Sequence, residues 1–402
     1  MDLTALLLRV AARRPHVLVV AVPGATDVRL AIEDALARRG WPVATGPADA
    51  DVLAVAGAPG PELAAVVDAV WEQVPAPRAR IEVPAAADLH EHLDAATALL
   101  ADAGHQRSAA VSGKEGHGTR IHSRPRPGGG QADHGDHRGH GDDPAHGGHE
   151  AHGGHEAHGG AQAQPDAHAA HGGDTDGDHA GHGAGQHAHH GHGGMVAGLP
   201  MAEPGPDRDG LTLDRLHVPL GPLLPDWPSG LVVRATLQGD VIQEAAADVL
   251  DAGHAAPFEW ASAAARELDG LARFLGVAGW PSAAAQARRL RDAVLAGDRV
   301  DAEVAALLRR IRRSRTLRWL IRDIPAGPST VADLLAARLA AVEAAVAADP
   351  AAPSTREPQH AVGLAGVAHA LVGAELAAAR LIVAALDPDT DRAAVGTGAG
   401  HG

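Results

Sequence analysis

The sequence predicts an α/β N-terminal domain with a small parallel sheet, then a disordered histidine-rich linker, then an α+β, mostly helical C-terminal domain that opens with a β-hairpin. Three observations predict this fold class. Short β-branched runs first alternate with helical patterns. Gly, His and Ala then dominate, with few large apolar residues. A strand–turn–strand pattern and several amphipathic helices follow. The resulting divisions are 1–104, 105–208, 209–350 and 351–402, the last holding a linker, a C-terminal helix and a loose tail.

Three strand–helix pairs are predicted in the N-terminal domain. Continuous apolar runs such as VLVVAV and VLAVA are typical of strands that are buried on both faces of a parallel sheet. The strands are predicted at Val17–Val22, Val52–Ala56 and Arg80–Val83, and the helices at Thr26–Arg39, from Pro61 onward, and at Asp88–Ala101.

The turn Pro23-Gly24-Ala25-Thr26 lies between the first predicted strand and the first predicted helix. Because backbone N–H groups converge at a helix N-terminus, a phosphate or another anion could bind there. The other interpretation is a tight turn with a threonine cap. Neither a GxxxxGK[ST] nor a GxGxxG motif is present, so both interpretations stay open.

The linker holds eighteen of the twenty-seven histidines, between His117 and His192, together with ten Asp and Glu residues. Neutral imidazole is a common ligand of zinc, nickel and copper, and many of these histidines are spaced by three. We therefore predict loose binding of Ni or Zn ions by this tract. The ligands are predicted to be His134, His137, His140, His146, His149, His152, His155, His158, His187, His189, His190 and His192. A solubilising tether and a pH-responsive tether are the alternatives.

The C-terminal domain is predicted to begin with strands and to continue as helices. The strands are predicted at Asp214–Leu220, Leu231–Leu237 and Asp240–Ala245, with a tight hairpin turn at Gln238-Gly239. The helices are predicted at about Phe258–Leu275, Ser282–Ala296, Asp301–Arg313, Val331–Ala347 and His360–Leu386, the fourth capped by Ser329 or Thr330.

Charge and composition exclude several classes of protein. The net charge of −16 argues against a nucleic-acid partner, and the absence of cysteine excludes disulfides, thiolate zinc sites and cysteine-bound iron–sulfur clusters. No signal peptide or long uncharged apolar run is found, which predicts a cytoplasmic protein, with a peripheral position on the inner face of the membrane left open. Residues 309–322 carry seven arginines, which could contact anionic lipid headgroups or an acidic partner, or form a solvated face.

Residues 51–83 resemble the small iron–sulfur subunit of respiratory complex I and of membrane-bound nickel–iron hydrogenases. The resemblance rests on Val55-Ala56-Gly57 after a strand and on Val70–Arg78 at the end of a helix. That family binds a tetranuclear cluster through cysteines, including one just after the strand that corresponds to Arg80–Val83. This chain has Pro84-Ala85-Ala86 there, so the resemblance implies the family's fold without its cluster.

The start of the C-terminal domain resembles the large, quinone-pocket subunit of the same enzymes. Their GPxHP loop, which leads to a glycine and a hairpin, corresponds to Gly221–Pro225, then Gly230 and Leu231–Leu237. A weaker resemblance covers Leu268–Arg288. The family's quinone-pocket histidine is Leu224 here, no tyrosine exists to contact a quinone, and the two CxxC pairs of the nickel site are missing.

Resemblance to two subunits that dock against each other implies a non-redox structural or assembly subunit of a complex I-like or hydrogenase-like membrane complex. Its partners would be membrane subunits of that assembly, it would hold no iron–sulfur cluster, and the lost site residues argue against enzymatic activity. The alternative function is storage or delivery of nickel or zinc, with divalent metal ions bound by the histidine tract. A third class, an enzyme of unrecognised chemistry, has no triad, carboxylate pair or phosphate loop to support it.

Overall fold

The computed structural model describes residues 3–108, 195–196, 199–200, 203–206, 212–348 and 363–393. We call residues 3–108 the N-terminal half, and residues 212–348 with 363–393 the C-terminal half. Both halves belong to one compact unit. In chain order, the elements are α1 Leu3–Ala11, β1 Val17–Ala21, α2 Thr26–Arg39, β2 Val52–Ala56, α3 Pro61–Trp71, β3 Ala79–Val83, α4 Leu89–Ala101, β4 Met195–Val196, β5 Leu199–Pro200, β6 Glu203–Pro206, β7 Thr212–Leu220, β8 Leu231–Gln238, β9 Val241–Val249, α5 Ala263–Val277, α6 Pro281–Leu295, α7 Asp301–Arg313, α8 Arg315–Leu320, β10 Pro325–Ala326, β11 Ser329–Thr330, α9 Val331–Ala348, α10 Leu364–Leu371 and α11 Leu376–Leu386.

The N-terminal half is built on a three-stranded parallel sheet in the order β1-β2-β3, which confirms the predicted α/β class. The central strand β2 is fully buried along its length, because VLAVA carries no polar side chain to either face. Helix α2 packs on the sheet through the predicted apolar face, in which Val28, Ile32 and Leu36 are buried. Gly40 ends this helix with a left-handed φ of 64°, a conformation that glycine adopts without steric cost.

The packing of the N-terminal half continues past the predicted boundary at residue 104. Gln106 is buried, and its side-chain amide accepts a hydrogen bond from Arg78 N at 2.9 Å and donates to Arg78 O at 3.1 Å. Its Nε2 also donates to Leu99 O at 2.8 Å. These bonds attach the end of the domain to the segment that precedes β3.

The first three strands of the C-terminal half, β7, β8 and β9, form an antiparallel sheet with β6, in the order β6-β7-β8-β9. The predicted hairpin between β8 and β9 is confirmed, with Gln238 paired to Val241 and the turn at Gly239-Asp240. The turn therefore lies one residue later than predicted, and Gly239 takes the positive φ of 61°. Thr330 caps α9 as expected, since its Oγ1 accepts a hydrogen bond from Asp333 N at 3.1 Å.

Two predicted helix boundaries differ from the structure. Helix α5 begins at Ala263 rather than near Phe258, because Ser262 is extended and its Oγ accepts from Ala265 N. The single helix predicted over His360–Leu386 is instead the pair α10 and α11, with His360 outside the described residues.

The break between α10 and α11 has a tertiary cause. Gly373, with a φ of 83°, donates its N–H to Ile242 O at 2.8 Å, and Ile242 N donates to Ala374 O at 2.9 Å. The segment therefore pairs with β9, and these backbone groups are no longer available to a continuous helix.

None of the helices in the described ranges is long and apolar enough to cross a membrane. The middle of the chain, including the histidine tract, lies outside those ranges.

Candidate functional site

The twelve histidines predicted to bind metal, between positions 134 and 192, all lie outside the described residues. Within the described parts of the chain, no three His, Asp or Glu side chains come together as a group that could hold a metal ion. Among the described residues, buried charged side chains and a cavity instead lie where the two halves meet. Three features lie there: two helix N-termini that receive carboxylates, a buried ion network, and a cavity.

The first helix N-terminus belongs to α2. Asp391, near the end of the C-terminal half, accepts hydrogen bonds from Gly24 N at Oδ1 and from Thr26 Oγ1 at Oδ2, both at 2.8 Å. The turn that was predicted to hold either an anion or a threonine cap thus receives a carboxylate from the chain itself. Thr26 does not cap the helix, because Ala25 is the N-cap residue and Thr26 is already helical.

The second helix N-terminus belongs to α3. The carboxylate of Asp251 accepts hydrogen bonds from Glu62 N at 3.1 Å and Leu63 N at 2.9 Å. Glu62 Oε2 in turn accepts a hydrogen bond from Asp251 N at 3.1 Å. This is the reciprocal pattern of a capping box, except that its two members come from different halves of the chain.

Glycines allow the backbones of the two halves to approach closely at these points. A Cβ on Gly24 would lie 2.7 Å from Ala256 O, and a Cβ on Gly60 would lie 2.5 Å from the Asp251 carboxylate. Within the N-terminal half, a Cβ on Gly57, directly after β2, would overlap Ala25 Cβ in the turn before α2. Larger side chains at these positions would separate the halves or displace the turns.

The buried ion network, which consists of Arg29 and Glu33 on α2, Asp269 on α5 and Arg291 on α6, joins the halves more deeply. Arg29 donates to Asp269 through Nη2 at 2.9 Å and Nη1 at 3.2 Å, and to Glu33 through Nη1 at 2.8 Å. Arg291 Nη1 donates to both Asp269 and Glu33 at 2.7 Å. Asp269 and Arg291 have almost no exposed surface, at 1 % and 0 %.

Electrostatics keep all four members of this network charged. Burial by itself would raise the pKa of Glu33, but Arg29, Arg291 and Arg288 outweigh burial and lower it to about 2. Burial likewise opposes ionisation of Asp269, and the neighbouring arginines overcome it, so the pKa of Asp269 falls well below its usual range. The pKa values of Arg29 and Arg291 are raised, because the two carboxylates outweigh the effect of burial.

A cavity of about 450 Å³ lies beside the network. Its apolar wall comes from both halves and includes Leu18, Val19, Leu36, Trp41, Leu223 and Leu224. Its polar wall includes Arg273, Asp226, Arg288 and Asp292. Burial raises the pKa of Asp226 and that of Asp292, in spite of the arginine that each carboxylate contacts. The lining of the cavity therefore combines apolar side chains with charged side chains of both signs.

The residues present do not fit the cofactor of the resembled small subunit. A tetranuclear cluster needs thiolates at the strand ends, whereas Pro84–Ala86 follow β3 and the turn after β1 binds the Asp391 carboxylate. Quinone reduction as the large subunit performs it would, on the resemblance described above, require a histidine at position 224, where Leu224 lines the cavity. No tyrosine or histidine is among the residues that line the described cavity.

Sequence reasoning missed the buried ion network, although one signal was present. On α6, Ala284, Ala287 and Val294 form an apolar stripe, and Arg291 lies on that stripe rather than on a polar face. On α5, Asp269 lies inside the run Leu268–Ala272, every residue of which is buried. A charged residue on an apolar face indicates a buried partner of opposite charge, but the sequence does not identify that partner.

Comparisons with family models, with curated proteins and with solved structures found no match to this chain.

Proposed function

We propose that this protein is a non-redox structural or assembly subunit of a complex I-like or hydrogenase-like membrane complex. One observation carries the proposal: the two halves, which resemble subunits that dock against each other in such complexes, are joined here by a buried four-residue ion network. In this proposal the protein lies in the cytoplasm, peripherally on the inner face of the membrane, and membrane subunits of the complex are its partners.

The chemistry of the junction supports a structural role. Burying charges is costly, and a network of this kind contributes less to stability than to a single defined arrangement of the groups it joins. The two carboxylate-bound helix N-termini add further geometric constraint, since each requires a particular approach of the two halves. Residues that hold two bodies in one orientation are what a scaffold subunit needs, and no reacting group is required of them.

The test is purification of the tagged full-length protein from native membranes in a mild detergent, followed by mass spectrometry of the proteins that accompany it. We expect stoichiometric membrane subunits of a complex I-like or hydrogenase-like assembly. An untagged strain provides the control. Recovery of the protein alone, or of a stoichiometric iron–sulfur cluster after anaerobic purification, would contradict the proposal.

A second candidate function, storage or delivery of nickel or zinc, is favoured by the repeated spacing of histidines between His134 and His158. Deletion of Gly116–Gly194 separates the two functions. If the protein stores or delivers metal, the deletion removes Ni²⁺ and Zn²⁺ binding in equilibrium dialysis and reduces growth under metal limitation. If it acts only as a scaffold, the partner complex assembles and works unchanged under the same limitation.

A further inference from the structure

The short helix α8 presents an exposed surface of unusual chemistry. Leu317 and Ile321 are buried at 4 % and 2 %, one helical turn apart, and they fix which side of the helix faces the protein. Trp319 lies midway between them in sequence and therefore points to the opposite side, where its exposed fraction is 69 %. The inner positions of this turn are thus occupied by aliphatic residues, and the only aromatic side chain is left outside.

Arginines flank this tryptophan in sequence. Arg315, Arg318 and Arg322 are four before, one before and three after Trp319, and all three are exposed. We call Arg315, Arg318, Trp319 and Arg322 the arginine–tryptophan face. Residues 309–322 contain no acidic residue, although the whole chain has a net charge of −16. The positive charge is therefore concentrated locally within an acidic protein.

Little in the described chain neutralises this charge. No ion pair within the described residues involves Arg315 or Arg318. Arg322 Nε lies 3.4 Å from Asp323 Oδ2, but both side chains are highly exposed, at 68 % and 87 %, and such pairs contribute little. On the neighbouring helix α7, Arg312 pairs with Glu343 at 2.6 Å. Among the described residues, the arginine–tryptophan face thus keeps two arginines, Arg315 and Arg318, that have no ion-pair partner.

We propose that the arginine–tryptophan face binds the surface of an anionic lipid bilayer. Guanidinium groups contact lipid phosphates, and an indole ring at headgroup level places its apolar part toward the acyl chains while its N–H stays hydrated. The unmixed positive charge of residues 309–322, next to an exposed indole ring, complements the phosphates and the apolar boundary of an anionic bilayer. The inference deepens the proposed function by naming the surface that meets the membrane, and it rests on that function for the presence of a membrane.

The test uses the purified full-length protein and sedimentation with vesicles of phosphatidylcholine alone or of phosphatidylcholine with phosphatidylglycerol. We expect binding to the anionic vesicles only, and its loss in about 1 M NaCl, where the Debye length falls to about 3 Å. The double variant Arg315→Gln/Arg318→Gln should lower the partition coefficient roughly fivefold for each arginine, or about 25-fold. Trp319→Ala should weaken binding too and should abolish the blue shift of tryptophan emission on binding.

The control is Arg38→Gln/Arg234→Gln, which removes the same charge from two arginines whose side chains are 72 % and 59 % exposed elsewhere. This variant should bind like the wild type. Absence of binding to anionic vesicles, or equal losses in both double variants, would overturn the proposal. If the arginine–tryptophan face instead bound an acidic protein, vesicles would not sediment the chain at all.

Failure of this inference differs from failure of the proposed function. In detergent extracts, where no bilayer surface remains, the Arg315→Gln/Arg318→Gln variant should still purify with the partner subunits. If the wild-type protein purifies with the partner subunits but does not bind anionic vesicles, only the inference about the arginine–tryptophan face is contradicted. If it binds anionic vesicles but purifies without partner subunits, only the proposed function is contradicted.

Discussion

The central role of Asp269 in joining the two halves leads to a quantitative prediction. Its carboxylate is 1 % exposed and is one of the two carboxylates that Arg29 and Arg291 share. Asp269→Asn keeps the shape of the side chain but removes the charge, so Arg29 is left with Glu33, and Arg291 with Glu33 and Asp292. Removing the charge of one partner of a buried ion pair destabilises the folded arrangement by about 3–5 kcal/mol.

The assay measures association of the halves directly. A protease site placed within residues 123–194 allows the chain to be cut outside the described residues, after which the halves are held together by contacts alone. At about 1.4 kcal/mol for each factor of ten, the expected loss corresponds to weakening of their association by roughly 100-fold to several thousand-fold. We expect the cut wild-type protein to elute from size-exclusion chromatography as one species, and the cut Asp269→Asn variant to separate on dilution.

The matched control is Asp34→Asn. Asp34 also pairs with an arginine, Arg38, but that arginine side chain is 72 % exposed and the pair lies within α2 alone. Exposed pairs of this kind contribute about 0–1 kcal/mol, so the control should elute as the wild type does. Equal behaviour of Asp269→Asn and Asp34→Asn would refute the conclusion that the buried ion network joins the halves.

Three further predictions follow, two at the same junction and one at a turn within the N-terminal half. Because the pKa of Glu33 is lowered to about 2 in the folded state, against roughly 4.3 in an unfolded chain, its stabilising contribution is complete above about pH 4.3 and is lost as the pH falls toward 2. In acid titrations of unfolding, Glu33→Gln should reduce the pH dependence in that window, and an unchanged profile would contradict the assignment. Asp391→Ala should lower the free energy of unfolding by about 1 kcal/mol. It should also speed hydrogen exchange at the Gly24 N–H, which donates a hydrogen bond to the Asp391 carboxylate, and unchanged exchange would count against that bond. Gly57→Ala should destabilise the protein by more than about 1 kcal/mol in thermal unfolding, since φ is 94° and the new Cβ meets Ala25. Gly40→Ala, with a φ of 64° but open space, is the milder control, and an equal loss in both would show that contact with Ala25 is unimportant.

Local sequence patterns were sufficient for most of the elements. The run Val52–Ala56 predicts a strand buried on both faces, because no register of an uninterrupted apolar run leaves a polar face for solvent. The stripe of Val28, Ile32 and Leu36 predicts α2 and its inward side, because helical periodicity repeats within a few residues. Gly239 likewise placed the hairpin turn to within one residue, since the turn needs a positive φ.

Contacts between residues far apart in the chain could not be predicted from local sequence patterns. The pattern over His360–Leu386 is helical throughout, and only pairing of Gly373 and Ala374 with Ile242 breaks it into α10 and α11. Asp251 and Asp391 look like ordinary turn residues, and only the fold brings them to the N-termini of α3 and α2.

The sequence by itself therefore determined the α/β and the mostly helical parts of the fold, the histidine tract and the absence of any thiol chemistry, because each depends on residue type and local spacing. Only the tertiary structure decided that the two halves meet through Arg29, Glu33, Asp269 and Arg291 and enclose a cavity beside them. The physical reason is the distance along the chain. A charge such as Arg291 on an apolar helix face requires a partner, but which of the many carboxylates becomes that partner depends on how α2, α5 and α6 pack.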